Sequence, residues 1–177
     1  MKKLLFPIFF ALIAFSCGSV RISSDFDRKA QFASYKTYGF TQEALNIPVD
    51  EINRSRLIKA VENELGLKGF TKSEKPDVFV DLKLTTQLKQ TATASTNYGS
   101  GYGYRWGGGF STTSIDIDQY TEGTLFIDII DATKKQLVWQ GRGIRTLNPD
   151  ASSEKREENI NNAVRLIFTK YPPTIRQ

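Results

Sequence analysis

The clearest hydrophobic pattern in the middle of the chain is an apolar stripe at spacings of mainly three and four, which is typical of an amphipathic helix. The stripe begins after Asp50, a residue type that caps helices, and Gly66 and Gly69 follow its last member. We therefore predict a helix from Asp50 to about Leu65 with one buried face. Its predicted apolar residues are Ile52, Leu57, Ile58, Val61 and Leu65.

A second apolar stripe, near the end of the chain, predicts a second amphipathic helix. Ser152 or Ser153 is its expected cap, and the pair Pro172 and Pro173 ends it. This helix also needs only one apolar surface to pack against. Its stripe consists of Ile160, Val164, Ile167, Phe168 and Tyr171.

Strand patterns, in which apolar and polar residues alternate, surround the two helices. The clearest hairpin joins Thr124–Asp131 to Gln136–Ile144 through a turn at 131–135, and Leu137, Trp139 and Gly141 are expected to share one side of its second strand. We predict a loop at 41–49. Further strands are predicted at 21–26, at 35–40 and from Ser111 to Tyr120. Another strand is predicted to begin after Pro76 and Asp77, with Val78, Val80, Leu82 and Leu84 facing inward.

This order of elements predicts an α+β fold, with a single, mainly antiparallel β-sheet and two amphipathic helices packed on one face. The apolar stripes of both helices should then lie against the same face of the sheet. Trp139 is expected in the core or on the sheet face under a helix, and a ligand platform is the alternative.

The N-terminal residues have the order of a secretory signal. Lys2 and Lys3 come first, and an apolar run of 12 residues from Leu4 to Phe15, broken only by Pro7, follows. That run is too short to cross about 30 Å of hydrocarbon. We therefore predict export of the chain.

The segment from Ala14 to Gly18 resembles the lipobox of bacterial lipoproteins. The resemblance implies a signal peptide at residues 1–16 and acyl chains, such as palmitate, on Cys17. We expect residues 17–24 to form a short tether, unless they begin an edge strand, and residues 25–177 to form a single domain. The expected location is the cell envelope, anchored in the outer membrane and facing the periplasm. A plain secreted protein with a free thiol is the alternative.

Composition narrows the chemistry that the chain can perform. Its 177 residues, 40% of them apolar and 24% charged, are typical of an ordinary globular protein of about one domain. The sequence has no histidine, and its one cysteine is Cys17, so a Ser-His-Asp triad, a Cys-His pair and Cys/His zinc sites are excluded. The net charge of +5 falls to +3 without Lys2 and Lys3, and the basic residues are spread among acids. Nucleic-acid binding is therefore not expected.

The segment from Asn97 to Phe110 contains six glycines and five aromatic residues among 14 residues. Such glycine density predicts a flexible loop between two long strands. Its aromatic side chains are candidate anchors for a sugar, peptide or protein partner, and a hairpin tip without a specific role is the alternative. The candidate binding residues are Tyr98, Tyr102, Tyr104, Trp106 and Phe110.

Several acidic residues invite a metal hypothesis. Asp116, Asp118 and Glu122 are closely spaced, and two of these carboxylates could hold Ca²⁺ weakly. We prefer solvated acids on a strand, and we expect neither a metal nor a cofactor. Asp128 and Asp131 flank the hairpin turn, where turn chemistry alone favours an aspartate.

Four stretches of the chain together resemble the DUF4136 lipoprotein family. The resemblance implies the fold and an envelope location but supplies no catalytic residues. The stretches are 20–27, 35–38, 68–70 followed by 76–80, and 128–131 with 138–141.

Three functions follow as hypotheses. The first is a non-catalytic envelope lipoprotein that binds an envelope protein or glycan. The second is a carrier of a lipid or other apolar ligand between the sheet and the helices, which a cavity deep enough for an acyl chain would favour. The third, a carboxylate-dependent hydrolase, is least supported, and we expect the protein not to be an enzyme.

Overall fold

The computed structural model describes residues 20–98 and 111–174, with side chains at 20–95 and 114–174. These ranges contain six strands, three α-helices and one 3-10 turn at Phe32–Ser34. The helices are α1 (Gln42–Leu45), α2 (Glu51–Leu67) and α3 (Ser153–Phe168). The strands are β1 (Arg21–Phe26), β2 (Thr37–Phe40), β3 (Thr71–Lys72), β4 (Val78–Tyr98), β5 (Ser111–Asp131) and β6 (Gln136–Thr146).

The strands form one sheet in the order β1-β6-β5-β4-β2-β3. The three pairs from β1 to β4 are antiparallel, which confirms the predicted fold class. The pairs of β2 with β4 and with β3 are parallel and were not predicted. They arise because α2 connects β2 to β4, and a helical crossover of this kind returns the chain in the same direction. The stretch 21–24, which the sequence also allowed as a tether, belongs to β1.

Helix α2 begins and ends close to the predicted positions. Asp50 caps it, with a side-chain oxygen accepting the backbone N–H of Asn53 at 3.0 Å. The helix continues through Gly66 to Leu67, and Gly69 then adopts a positive φ of 82°. The prediction for Ile52 was wrong, because its side chain is 64% exposed. Five positions separate it from Leu57, a spacing that turns it away from the stripe.

The predicted loop at 41–49 contains the short helix α1, and this part of the prediction was wrong. Thr41 caps α1, since its hydroxyl oxygen accepts the backbone N–H of Ala44 at 3.0 Å. Ala44 and Ile47 are both buried in the core. A helix of four residues is too short to show a period of 3.6 in the sequence, so only the cap signals it.

Helix α3 is capped by Ser152, whose hydroxyl oxygen accepts the N–H of Lys155 at 3.2 Å. It lies beside α2, since the guanidinium of Arg56 on α2 donates to the Ser153 hydroxyl at 2.7 Å. Six of the residues predicted for the two apolar stripes are buried within α2 and α3. They are Leu57, Val61, Leu65, Val164, Ile167 and Phe168.

A β-bulge changes which side chains of β6 point toward the core. Ile129 lies opposite Trp139 and Ile130 lies opposite Leu137, so Val138 is an extra residue on β6. As a result Val138 and Trp139 are both buried while Leu137 is 50% exposed, and the predicted shared side of Leu137 and Trp139 was wrong. The prediction that Trp139 lies in the core is confirmed, and its ring stacks on Phe168 with the centroids 6.0 Å apart.

The hairpin of β4 and β5 extends beyond the other strands. The ladder of β5 with β6 stops at Glu122, whereas β4 and β5 stay paired as far as Tyr98 and Ser111. In the described chain the stretch 88–98 with 111–121 is therefore a two-stranded ladder, which we call the ribbon. A ribbon of two strands has little stability alone, so its apolar side chains gain from a partner.

Candidate functional site

A cleft of about 500 Å³ opens between α2, α3 and the sheet. Its volume lies within the range of small-molecule sites, which are mostly apolar with a few polar groups. The sheet forms its floor, the two helices form its walls, and the 146–151 connection closes one side. Its aliphatic lining includes Val20, Val49, Leu57, Leu84, Leu125, Leu147 and Ile160.

Two glycines of the sheet shape the cleft floor. A Cβ at Gly143 would lie 2.9 Å from Cδ1 of Ile167, so the glycine allows α3 to pack closely on β6. A Cβ at Gly123 would lie 2.9 Å from Cδ2 of Leu147. The missing side chains at these two positions leave room for Ile167 and Leu147 at the floor, and the surrounding aliphatic side chains keep the walls apolar.

Two of the three ionisable residues that line the cleft already have partners within the protein. Asp50 accepts both the N–H and the side-chain amide of Asn53, at 3.0 and 2.7 Å, and the backbone hydrogen bond holds the pKa of Asp50 below its usual value. Arg156 donates to the carbonyl oxygens of Ala151 at 3.0 Å and Pro149 at 2.8 Å. These groups hold the ends of α2 and α3, so their role in the cleft is structural.

Arg145 is the third ionisable residue of the cleft, and it differs from the other two. It follows Gly141 and Gly143 at alternate positions of β6, on the face that packs against α3. Its Nη1 atom is buried and has no hydrogen-bond partner among the described residues. Arg142, on the opposite face of the same strand, is exposed and donates to the Ser23 hydroxyl at 3.1 Å. Because a buried donor without a partner is costly, Arg145 is the residue most suited to contact a ligand.

A second cleft, of about 880 Å³, lies beside residues 30–36 and the end of the chain. Tyr171 lines it, and burial raises the pKa of its hydroxyl, which has no partner among the described residues. The ring of Tyr171 packs edge-on against Trp139, with centroids 5.2 Å apart, and against Phe32 at 5.8 Å. This cleft therefore borders the aromatic core, and it contains no buried unpaired cation among the described residues.

The other face of the sheet carries a pair of buried carboxylates that the sequence did not reveal. Asp81 on β4 lies directly opposite Asp128 on β5, and Nζ of Lys83 lies 3.3 Å from an oxygen of each. Thr41 and Gln140 donate to the remaining carboxylate oxygens at 2.6 and 2.7 Å. The pair is thus fully supplied with partners, as expected of a structural network.

Asp131 performs the predicted turn role. Its Oδ1 accepts the backbone N–H groups of Thr133 and Lys134, at 3.0 and 2.8 Å. Its other oxygen accepts the Tyr35 hydroxyl at 2.8 Å. The hydrogen bond from the N–H of Lys134 contributes most to lowering the pKa of Asp131. Burial, and after it the hydrogen bond to Asp131, raises the pKa of Tyr35 to about 12.

The acidic residues considered as metal ligands in the sequence do not line the cleft. Asp116 and Asp118 are exposed on β5, and Glu122 forms an ion pair with Arg21 of β1. Within the described ranges, no cluster of three acidic or thiol side chains is arranged to hold a metal ion. Tyr98 ends β4, and its side chain lies outside the described residues, as do Cys17, Tyr102, Tyr104, Trp106 and Phe110.

Sequence reasoning allowed for a ligand between the sheet and the helices but did not identify Arg145. One local signal was present, because Arg145 continues the alternation of Gly141 and Gly143 and so places a charge at an inward position. The predicted strand ended at Ile144, so Arg145 lay just outside it, whereas β6 continues to Thr146.

Comparison with solved structures supports the fold. A PDZ domain protein from Parabacteroides distasonis superposes with a TM-score of 0.54 and 18% identity over 89% of this chain, which spans only 37% of that protein's chain. Two crystal forms of the PelC dodecamer from Paraburkholderia phytofirmans give TM-scores of 0.42 and 0.43 at 12% identity. These matches cover 86% and 91% of this chain, and 95% and 100% of PelC.

Membership of a family rests on the sequence match over the whole described fold. No helix in the described ranges has the length and apolar character needed to cross a membrane. A search among curated proteins found no match. The family model described as a domain of unknown function, DUF4136, matches residues 22–173, and the chain therefore belongs to the DUF4136 family.

Proposed function

We propose that this protein is a lipid-anchored, non-catalytic envelope protein that binds a small apolar ligand in the cleft between α2, α3 and the sheet. The cleft itself carries this proposal, because it combines a volume of about 500 Å³ with mostly aliphatic walls. Apolar surface that a ligand removes from water contributes about 25 cal/mol per Å² to binding.

The N-terminal sequence supports an envelope location close to a membrane. Val20 lines the cleft and follows Cys17 by three residues. Three residues of extended chain span at most about 11 Å, so an acylated Cys17 would keep the cleft near the bilayer surface. An apolar ligand would then reach the cleft from the membrane without crossing much water.

The composition supports a binding role rather than catalysis. The chain has no histidine, and its one thiol lies at Cys17. The buried carboxylates Asp81 and Asp128 lie on the opposite face of the sheet from the cleft and are occupied by Lys83. The cleft therefore offers a ligand apolar contacts and hydrogen-bond donors.

Photolabelling of the full chain in phosphatidylcholine vesicles tests the proposal. The probe is an alkyl alcohol that carries a photoactivatable diazirine, and peptide mass spectrometry locates the labelled residues. We expect labels on cleft-lining residues such as Leu57 and Ile160. Ala163→Leu, which fills the cleft from α3, should reduce this labelling, whereas Asn161→Leu, at an exposed position of the same helix, should not. Labelling that is absent from the cleft, or equal in both variants, would contradict the proposal.

A second candidate function, binding of another envelope protein, is favoured by the ribbon. Leu88, Ile115 and Ile117 are each more than 60% exposed. Ile115 and Ile117 share one face of β5, with Ala94 and Ala92 directly opposite on β4. This apolar stripe continues the core-facing side of the sheet beyond the helices, where the described chain does not cover it.

Site-specific crosslinking in cells tests this second function. A photoreactive residue at Ile117 should capture the partner, and one at Asp116, on the opposite face of β5, should not. The aromatic segment is tested by changing Tyr102, Tyr104 and Trp106 together to Ser, which should leave the melting temperature almost unchanged and remove the captured partner. Equal capture at positions 116 and 117 would argue against a specific interface.

A further inference from the structure

One cation that lines the cleft, Arg145, has a buried nitrogen, Nη1, without a hydrogen-bond partner in the part of the chain that the structure describes. Burying part of a guanidinium in this way costs free energy unless a partner is present in the functional state. Arginine donates through a planar fork, and its usual partner is a carboxylate or phosphate that accepts two hydrogen bonds.

The charges around the cleft favour an anion at this position. Two arginines and one aspartate line it, which gives a net charge of +1. Asp50 accepts hydrogen bonds from Asn53, and Arg156 donates to the carbonyl oxygens of Pro149 and Ala151, which leaves Arg145 as the cleft cation best placed to bind an anion. The strand partner of Arg145 is Gly123, and the aliphatic end of Leu147 packs over this glycine, so no carboxylate stands opposite Arg145 on β5.

The rest of the cleft suits a hydrocarbon chain. Leu57 on α2, Ile160 on α3 and Leu84 and Leu125 on the sheet contribute aliphatic surface around the same volume. Because a cleft of about 500 Å³ matches the size of a site for one small ligand, it suits an amphiphile with a single chain.

From this juxtaposition we infer that the cleft selects a single-chain anionic amphiphile, a fatty carboxylate, and that Arg145 binds its head group while the aliphatic walls hold its chain. This inference rests on the proposed function, since both concern the same cleft, and it names the chemical class of the ligand. Arg145 thereby determines specificity for the acid over neutral amphiphiles of the same length.

The experiment compares two probes that differ only in charge. A fatty acid carrying a diazirine in its chain and the methyl ester of that acid are each presented to the full chain in phosphatidylcholine vesicles. The ratio of acid to ester labelling in the cleft is measured for wild type, Arg145→Gln and Arg142→Gln. Arg142 lies on the same strand but on the exposed opposite face, so it is the matched control for loss of one positive charge.

We expect Arg145→Gln to lower the acid-to-ester ratio about tenfold, the loss that corresponds to one charge-assisted hydrogen bond. Arg142→Gln should leave the ratio unchanged, and ester labelling should be similar in all three proteins, which shows that the cleft is still folded. An unchanged ratio in Arg145→Gln, with both probes labelling the cleft, would overturn this inference and leave the proposed function standing. Absence of cleft labelling by either probe in both wild type and Cys17→Ala would overturn both.

The acyl chains expected on Cys17 are the competing occupant, because Val20 borders the cleft. If they fill it, wild type should exclude both probes while Cys17→Ala admits them. That result would overturn the assignment of a free fatty carboxylate. Equal labelling of wild type and Cys17→Ala supports it.

Discussion

Gly123 on β5 lies directly opposite Arg145 on β6, so the strand partner of this arginine has no side chain. Both residues line the cleft. The nearest atom to a Cβ built at Gly123 would be Cδ2 of Leu147, at 2.9 Å. The space over Gly123 is thus occupied by an aliphatic side chain rather than by a carboxylate, and this geometry underlies the first prediction.

Replacing Arg145 by Met should raise the free energy of unfolding by about 1 kcal/mol, because the buried unpaired donor disappears while an aliphatic side chain remains. Urea denaturation measures the change. Arg56→Met is the matched comparison, and it should lower stability by up to about 1 kcal/mol, since Arg56 is paired with Ser153 and Glu157. A clear loss of stability in Arg145→Met would show that the guanidinium holds the fold together.

The glycines of the sheet should respond differently to alanine. A Cβ at Gly141 would collide with the ring of Trp139 and with Cγ2 of Ile167, both fully buried, so Gly141→Ala should cost about 1–3 kcal/mol. Gly123→Ala should cost less than about 1 kcal/mol, because Leu147 is 41% exposed and its end can rotate away. Denaturant melts of the two variants measure the difference. Equal costs would contradict the close packing of α3 on β6.

The packing of the two helices on the sheet should depend on one buried valine in each helix, and the free energy of unfolding should report it. Val61→Ala on α2 and Val164→Ala on α3 should each cost about 1–3 kcal/mol, because both side chains are fully buried and truncation leaves a cavity. Ile52→Ala, at a 64% exposed position of α2, should change stability by less than about 0.5 kcal/mol. Thermal or urea unfolding gives these values. Near-zero changes at both valines would refute the assigned helix faces.

Asp131 should make stability depend on acid pH. Hydrogen bonds from the N–H of Lys134, the hydroxyl of Tyr35 and the N–H of Thr133 keep its folded pKa below its unfolded value of about 4. Because the folded pKa is the lower one, the stabilisation is present above pH 4 and is lost as the pH falls through the folded pKa.

Urea midpoints measured between neutral and acid pH test this dependence. The stability advantage of wild type over Asp131→Asn should shrink as the pH falls below about 4. Asp116→Asn serves as the control, since Asp116 is exposed on β5. A constant difference between wild type and Asp131→Asn at all pH values would contradict the role of these hydrogen bonds.

The lipid anchor is tested at Cys17. Cys17→Ala should leave the precursor uncleaved at that site, or release a soluble protein after cleavage elsewhere, because no thiol remains to carry the acyl chains. Intact-mass measurements on membrane and soluble fractions distinguish these products from wild type. A mature variant that still carries acyl chains and requires detergent would disprove the lipoprotein hypothesis.

Local patterns in the sequence were sufficient for the elements and for most of the core. The caps at Asp50 and Ser152, together with apolar residues at helical spacing, located α2 and α3 and identified Val61 and Val164 as buried. Asp131 marked the hairpin turn. These predictions succeeded because capping, turn formation and amphipathic periodicity depend on residues that are close together in the chain.

Only the tertiary structure decided which elements became neighbours and where the cleft opened. Pairing of β1 with β6 and of β2 with β4 joins strands that are distant in the sequence, and the bulge at Val138 depends on the register against β5. Arg145 differs from the other charged residues of the cleft because Gly123, opposite it, has no side chain and because its Nη1 has no acceptor among the described residues. A single sequence records which residue is charged, but the free energy of that charge is set by the groups that folding brings around it.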